Sequence, residues 1–294
     1  MKATVQKRIA LEKIPSASGI EYMNHNFFII GDNSPWLFEL DANFQLNRQY
    51  EIFSTNDLEN NVIPKPKKHD FEAMTSIKWS GDSALFLFGS GSKSPERNSG
   101  LLIRFNLQFN AVNYDLTNLY TQIKEKAKLK DEELNLEAAA LLNETIYLFN
   151  RGENKLISIK QRDLEEYLTG ANSSIKIKVT TIDLPEINGI KAGFSGATAD
   201  PKNNRLVFTA SVENTDNWIN DGAVLGSFIG YIEIEKLHPH YKPKNCLITE
   251  KENTLEIKVE SIELLSSDKK EFKCVVVTDS DGGSSELLQL DVTL

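Results

Sequence analysis

Three glutamates recur in one kind of short apolar run: Phe71-Glu72-Ala73-Met74, Leu136-Glu137-Ala138-Ala139 and Val259-Glu260-Ser261-Ile262. Serine stands in the same place in Ala17-Ser18-Gly19-Ile20 and Phe194-Ser195-Gly196-Ala197. If these five runs are copies of one unit, the carboxylates meet in space. Carboxylates gathered in a partly dehydrated place repel and raise one another's pKa unless a cation, an arginine or hydrogen bonds compensate. Among metals calcium fits this chemistry, because it takes about six to eight oxygen ligands in loose geometry and needs no His or Cys. Asp32 and Asp279, each ending an apolar strand some way after a copy begins, could join Glu72, Glu137 and Glu260 as ligands. The other compensator is an ion-pair network with Arg97, Arg151 and Lys191, which lie near the copies in sequence. The same three cations, with Glu213 and the loop acid Asp221, are candidates for contacts to a small-molecule ligand.

The elements that would position these groups are strands. The copies begin at Ser18, Glu72, Glu137, Ser195 and Glu260, at intervals of 54, 65, 58 and 65 residues. That spacing suits four strands and variable loops, and a repeat at this period must be read before anything else. In each copy an apolar strand ends in small or polar residues, as in Ile29-Ile30-Gly31-Asp32 and Leu148-Phe149-Asn150-Arg151, and an alternating third strand follows. Fourth strands are expected at residues 47–53, 111–116 and 175–184, and less distinctly within 246–258. The fifth copy runs out of chain, whereas residues 3–11 are a spare strand at the start. Pairing the two ends would close a ring of blades and hide its sheet edges. The expected architecture is therefore a single all-β domain over residues 1–294, a β-propeller of five blades. Six is the alternative if residues 246–258 build an extra sheet. Helices are expected only as insertions, at 117–134 and at 163–168 with Asp163 as N-cap, and long loops at 56–70 and 237–245.

Other chemistries find less support. Gly193-Phe194-Ser195-Gly196 approaches a nucleophile elbow, but Ala197 replaces the final glycine and no helix follows. His69 beside Asp70 could serve as a general base, though a surface-loop histidine is the simpler reading. Gly89-Ser90-Gly91-Ser92 can offer backbone N–H groups to an anion, but lacks the Gly-Lys-Ser/Thr of a nucleotide loop. Asp279-Ser280-Asp281-Gly282 starts like a calcium loop without its third acid or flanking helices. Cys246 and Cys274 have no metal-binding spacing and are expected as free thiols.

Composition narrows the partners. The 294 residues include 33 Lys and Arg against 42 Asp and Glu, a net charge of −9 with no basic stripe, which argues against nucleic acid. With 40% hydrophobic residues a sizeable core is available. No run approaches the roughly 18 apolar residues of a membrane span, and no secretory signal is apparent, so no membrane partner and a cytoplasmic location are expected. A secreted protein trimmed of its signal would read the same way.

The succession of FEAM, LFGSGSKSPERNSG, LEAAALLNETIYLFNRGENK, FSGATAD, FTASVENTDNWINDGAVLGSFIG, VESIELL and VVVTDSDGG resembles a bacterial β-propeller family of unknown function across nearly the whole chain. More distantly, the glutamates on inner strands are similar to those of phytase-like esterase and calcium-dependent lactonase propellers. That likeness implies a calcium-assisted hydrolase of esters, lactones or phosphoesters. The rival expectation is a non-catalytic ligand- or protein-binding propeller whose channel is an ion-pair network.

Overall fold

The computed structural model describes the chain apart from residues 55, 57, 59–62, 65–67, 107, 215–221 and 280–283. Alternating apolar residues and tight turns give a succession of antiparallel meanders. The first holds β1 (Lys2–Pro15) apart and starts with β2 (Ala17–Met23), β3 (Asn26–Gly31), β4 (Trp36–Leu40) and β5 (Leu46–Glu51). The second comprises β6 (Phe71–Trp79), β7 (Asp82–Gly89), β8 (Ser99–Arg104) and β9 (Asn110–Asp115). The third has β10 (Leu136–Leu142), β11 (Thr145–Asn150), β12 (Lys155–Lys160) and β13 (Ile177–Ile182), followed by a two-residue hairpin pair, β14 (Glu186–Ile187) and β15 (Ile190–Lys191). The fourth runs through β16 (Gly193–Asp200), β17 (Arg205–Asn214), β18 (Ala223–Glu233) and, after the short β19 (His240–Tyr241), β20 (Lys244–Glu250). After the short β21 (Asn253–Thr254), the fifth has β22 (Val259–Ser267), β23 (Glu271–Thr278) and β24 (Ser284–Thr293), and takes β1 as its outer strand. The innermost strands β2, β6, β10, β16 and β22 neighbour one another in that order, and β22 returns to β2. This ring of meanders is a β-propeller.

Closure uses the chain ends. β1 runs antiparallel to β24, with Val5 opposite Leu290 and Ile9 opposite Leu287. Its other edge pairs parallel with β20, Ala3 opposite Ile248, so the fourth and fifth meanders form one continuous sheet. The 246–258 segment builds no separate sheet among the described residues, since Thr254 folds back opposite Thr249. Between meanders the sheets pack through apolar clusters. Phe71 joins Ile30, Met74 and Leu87 between the first and second, Leu136 joins Phe88 and Leu148 between the second and third, and Val259 joins Val207 and Ile229 between the fourth and fifth.

Three expectations are corrected. The helix foreseen over 117–134 ends early: α1 spans Thr117–Ala127, because Lys128 adopts a left-handed conformation (φ 56°) and a 3-10 turn, Asp131–Glu133, carries the chain on. The second helix, α2, spans Gln161–Leu168 with Lys160 at its N-cap, and Asp163 lies in its first turn instead. The loop expected over 237–245 contains β19, which pairs parallel with β13 and adds a fifth strand to the third meander. None of the helices among the described residues is long and apolar enough to cross a membrane.

Candidate functional site

The five recurrent positions share a backbone device that alternation alone does not reveal. The register of the innermost strand against its neighbour slips between Ala17 and Gly19, Phe71 and Ala73, Leu136 and Ala138, Phe194 and Gly196, and Val259 and Ser261. Ser18, Glu72, Glu137, Ser195 and Glu260 are therefore the extra residue of a β-bulge in each meander. A bulge breaks the strict up-and-down order of side chains and re-aims one of them. Here it frees the glutamates from the inter-sheet cores that hold Phe71, Leu136 and Val259. Small residues follow the bulge, and at Gly196 a Cβ would lie 2.7 Å from the Ser261 Cα, so neighbouring inner strands approach there to backbone contact.

Carboxylate oxygens of Glu72, Glu137 and Glu260 lie within 4.8 Å of one another, and those of Asp32, Asp70 and Glu72 form a second group of the same size. Glu72 belongs to both. Around them four cations are distributed unevenly. Lys68 Nζ bridges Asp32 Oδ2 and Asp70 Oδ1 at 2.6 Å each, and Arg97 Nη1 donates to Asp70 Oδ2 at 2.5 Å. Arg151 donates from Nη2 to Glu213 Oε1 at 2.7 Å, while its Nη1 stands 3.6 Å from Glu137 Oε2. Lys258 Nζ lies 3.0 Å from Glu260 Oε1 and 3.6 Å from Glu213 Oε1. Asn135 Nδ2 donates to Glu137 Oε1 at 2.6 Å. No ion pair or hydrogen bond reaches the Glu72 carboxylate among the described residues. Glu260 Oε2 and Arg151 Nη1 are likewise buried without a hydrogen-bond partner.

The protonation behaviour follows this uneven supply. Burial pushes Glu72 well above the usual carboxylate range, and the charges of Asp70, Glu137 and Asp32 push the same way. Burial takes Glu260 up to about 7 against the pull of Lys258, and raises Glu137 against Arg151. At Asp70 burial is outweighed by Lys68 and Arg97, and at Glu213 by Arg151 and Lys258, so both stay below the ordinary value. Six carboxylates, Asp32, Asp70, Glu72, Glu137, Glu213 and Glu260, face four cations, Lys68, Arg97, Arg151 and Lys258. Among the described residues two negative charges remain for a divalent cation or for protons to neutralise.

Several candidates stand elsewhere or play other parts. Arg97 serves Asp70 and not the three glutamates. Ser90 and Ser92 of the glycine-serine loop also hydrogen-bond to Asp70 Oδ2, so that loop already cradles an anion belonging to the chain. Lys191 is exposed on β15, outside the cluster; closeness in sequence to Ser195 did not carry it to the axis. Asp279 follows β23 but is in neither carboxylate group, and Asp221 lies outside the described residues. His69 is half-buried rather than on a surface loop. It stacks on Phe53 with ring centroids 4.3 Å apart, its Nδ1 is 3.2 Å from Ser99 Oγ, and burial lowers its pKa. Ser195 is fully buried, with its hydroxyl on Thr209, which leaves no room for a nucleophile's role. Cys246 and Cys274 are free thiols.

Sequence reasoning overlooked Lys68, Asn135 and Lys258 as partners. Asp70, Asn135 and Lys258 each stand two residues before a bulge, so the repeat register itself marks this rim of polar residues.

The profile of a family of unknown function, DUF6929, matches residues 13–292. The chain belongs to that family. No curated protein matches the sequence of this DUF6929 chain. Among solved structures it is similar to the glutaminyl cyclase of Myxococcus xanthus, at 9% identity and a TM-score of 0.51, over 99% of this chain and 97% of that one. It is also similar to an α-L-arabinanase mutant of Cellvibrio cellulosa, at 10% identity and a TM-score of 0.50, over 97% and 92% of the two chains. At such identities the likeness is one of fold.

Proposed function

We propose that the DUF6929 funnel binds calcium through Glu72, Glu137 and Glu260 and hydrolyses an ester-type bond of a small molecule held beside it. The observation that carries this reading is the convergence of three carboxylates within 4.8 Å, one of them, Glu72, with no ion pair or hydrogen bond among the described residues. An ion with oxygen contacts of about 2.3–2.6 Å can span such a group. Asp32 and Asp70 share Lys68, so the proposed ligands are the three glutamates, and Glu260 Oε2 offers an unused lone pair. Bound calcium would supply Lewis-acid polarisation of the scissile oxygen. The chain's own part is to hold the carboxylates rigid on bulged strands, with Asn135 and Lys258 fixing the outer oxygens of Glu137 and Glu260.

A second reading, a non-catalytic binding propeller, is favoured by the ion pairs of Arg151 and Lys258 with Glu137, Glu213 and Glu260. The two readings part at Glu137. In the wild type, 1 mM calcium is expected to raise the Tm relative to a chelator. Glu137→Gln, which keeps shape and loses charge, should weaken calcium binding about 10- to 100-fold and so remove roughly 1.4–2.7 kcal/mol of that stabilisation. Thermal unfolding of both proteins in calcium and in EGTA measures this difference. Equal responses of wild type and variant would leave arginine as the compensator and remove the support for hydrolysis.

A further inference from the structure

We infer that Arg151 is the funnel's donor to the reacting oxygen, and that the substrate is uncharged at its reacting group, a carboxylic ester or lactone and not a phosphate monoester. This rests on the calcium-assisted hydrolase reading and narrows its substrate. Arg151 is only 6% exposed, yet its Nη1 makes no hydrogen bond. A buried guanidinium N–H without an acceptor is costly, and a ligand oxygen placed there relieves the cost. The group is held for that purpose from two sides. Its Nη2 is fixed on Glu213 at 2.7 Å, and its stem lies against Gly193, where a Cβ would stand 2.6 Å from Arg151 Cγ and 3.1 Å from Nε. Gly193 thus provides the space that lets the side chain lie flat against β16. Nη1 stands 3.6 Å from Glu137 Oε2, so it addresses the same space as the glutamate group.

Charge selects among the ester types. Among the described residues the six carboxylates and four cations of the cluster come to zero with one divalent ion present. A phosphate monoester dianion would bring two uncompensated charges to this balanced, buried group of side chains, at a cost that a neutral carbonyl avoids. In the reaction water adds across the acyl C–O bond. The water oxygen bonds to the carbonyl carbon, the acyl–alkoxy bond breaks with its electron pair on the alkoxy oxygen, and that oxygen takes a water proton. The Nη1 N–H stabilises the oxygen on which negative charge builds.

The test uses the full chain with calcium, 4-nitrophenyl acetate, γ-butyrolactone and 4-nitrophenyl phosphate. Two variants displace the donor without removing a glutamate. Arg151→Lys keeps the charge and loses the planar fork, and Gly193→Ala pushes the side chain from its bed. Both are expected to lower kcat/KM for the neutral substrates at least 10-fold, mainly in kcat, while calcium Kd by titration calorimetry stays within about threefold. The phosphate should not turn over. Variants with wild-type kcat/KM would overturn the role of Arg151, and preferred turnover of the phosphate would overturn the substrate class while leaving calcium-assisted hydrolysis in place. Calcium bound to the wild type with no turnover of any of the three would overturn the inference together with the hydrolase reading beneath it.

Discussion

Removal of residues 1–12 is expected to abolish cooperative unfolding. β1 lies between two partners, antiparallel to β24 from Lys2 to Pro15 and parallel to β20 at Ala3 and Thr4. Its loss uncovers both edges at once. Ala3, Val5 and Leu11 leave the core, where they are no more than 9% exposed. Arg8, which donates from Nε and Nη2 to both oxygens of Glu250 at 2.9 Å and from Nη1 to Glu286 at 2.8 Å, no longer ties the fourth meander to the fifth. Burial of a Val or Leu is worth about 1.5–3 kcal/mol each, and each ladder hydrogen bond adds about 1 kcal/mol. Their sum is comparable with the whole stability of a native domain, about 5–15 kcal/mol. Among the described residues no covalent cross-link closes the ring, so the two flanking sheets would separate instead of fraying at one edge. Calorimetry of the truncated chain decides it: a melting transition with unchanged Tm and enthalpy would show the closure to be dispensable.

The same strand illustrates what the sequence makes legible. A missing fourth strand at one end and a spare one at the other are both visible as alternation, because a half-buried strand writes its period of two into the residue order. The glutamates were visible for a related reason, since Glu72 and Glu137 interrupt apolar runs. The bulge that aims them was not, because an extra residue in one strand is defined only against its partner's register. Ion pairs were the least legible. Lys68 and Asp32 come from different meanders, and Lys258 looked like an ordinary polar flank of Val259. Lys191 failed for the converse reason: it is near Ser195 in the chain, but the β14–β15 hairpin carries it to the surface. The helix over 117–134 was overextended because Leu134 falls on the apolar stripe of α1, although it is buried there by a separate turn.

Glu21 and Glu263 escaped notice altogether, and they give the other large effect. Each stands three residues beyond a bulge, and polar residues in an alternating strand read as solvent-facing. Both are buried instead. Glu21 Oε1 accepts from the Ser76 N–H of the second meander at 2.9 Å. Glu263 accepts from Leu264 N–H at 2.8 Å, from Thr198 Oγ1 at 3.0 Å and from Tyr22 N–H at 3.3 Å, linking the fourth, fifth and first meanders. Burial takes Glu21 up to about 7, and burial together with the charge of Glu21 takes Glu263 well above the ordinary range; Cys274 near Glu263 adds no cation.

A carboxyl group whose folded pKa is raised contributes stability while it holds its proton. The unfolded chain gives that proton up near 4.5 and the native chain only near 7. Stability from this group is therefore full below about pH 4.5, falls as pH rises toward 7, and stays lost above it. Glu21→Gln keeps the acceptor for Ser76 N–H and cannot ionise. The variant is expected to be more stable than wild type at pH 8 by about 3 kcal/mol, the equivalent of the raised pKa, with the advantage shrinking to near zero at pH 4.5. Denaturant melts of the two proteins at intervals between pH 4.5 and 8 measure it. A stability difference that stays flat over that range, or a variant weaker at pH 8, would mean that Glu21 is ionised in the native protein and compensated by a cation. The repulsion with Glu263 would then be no part of what limits this fold.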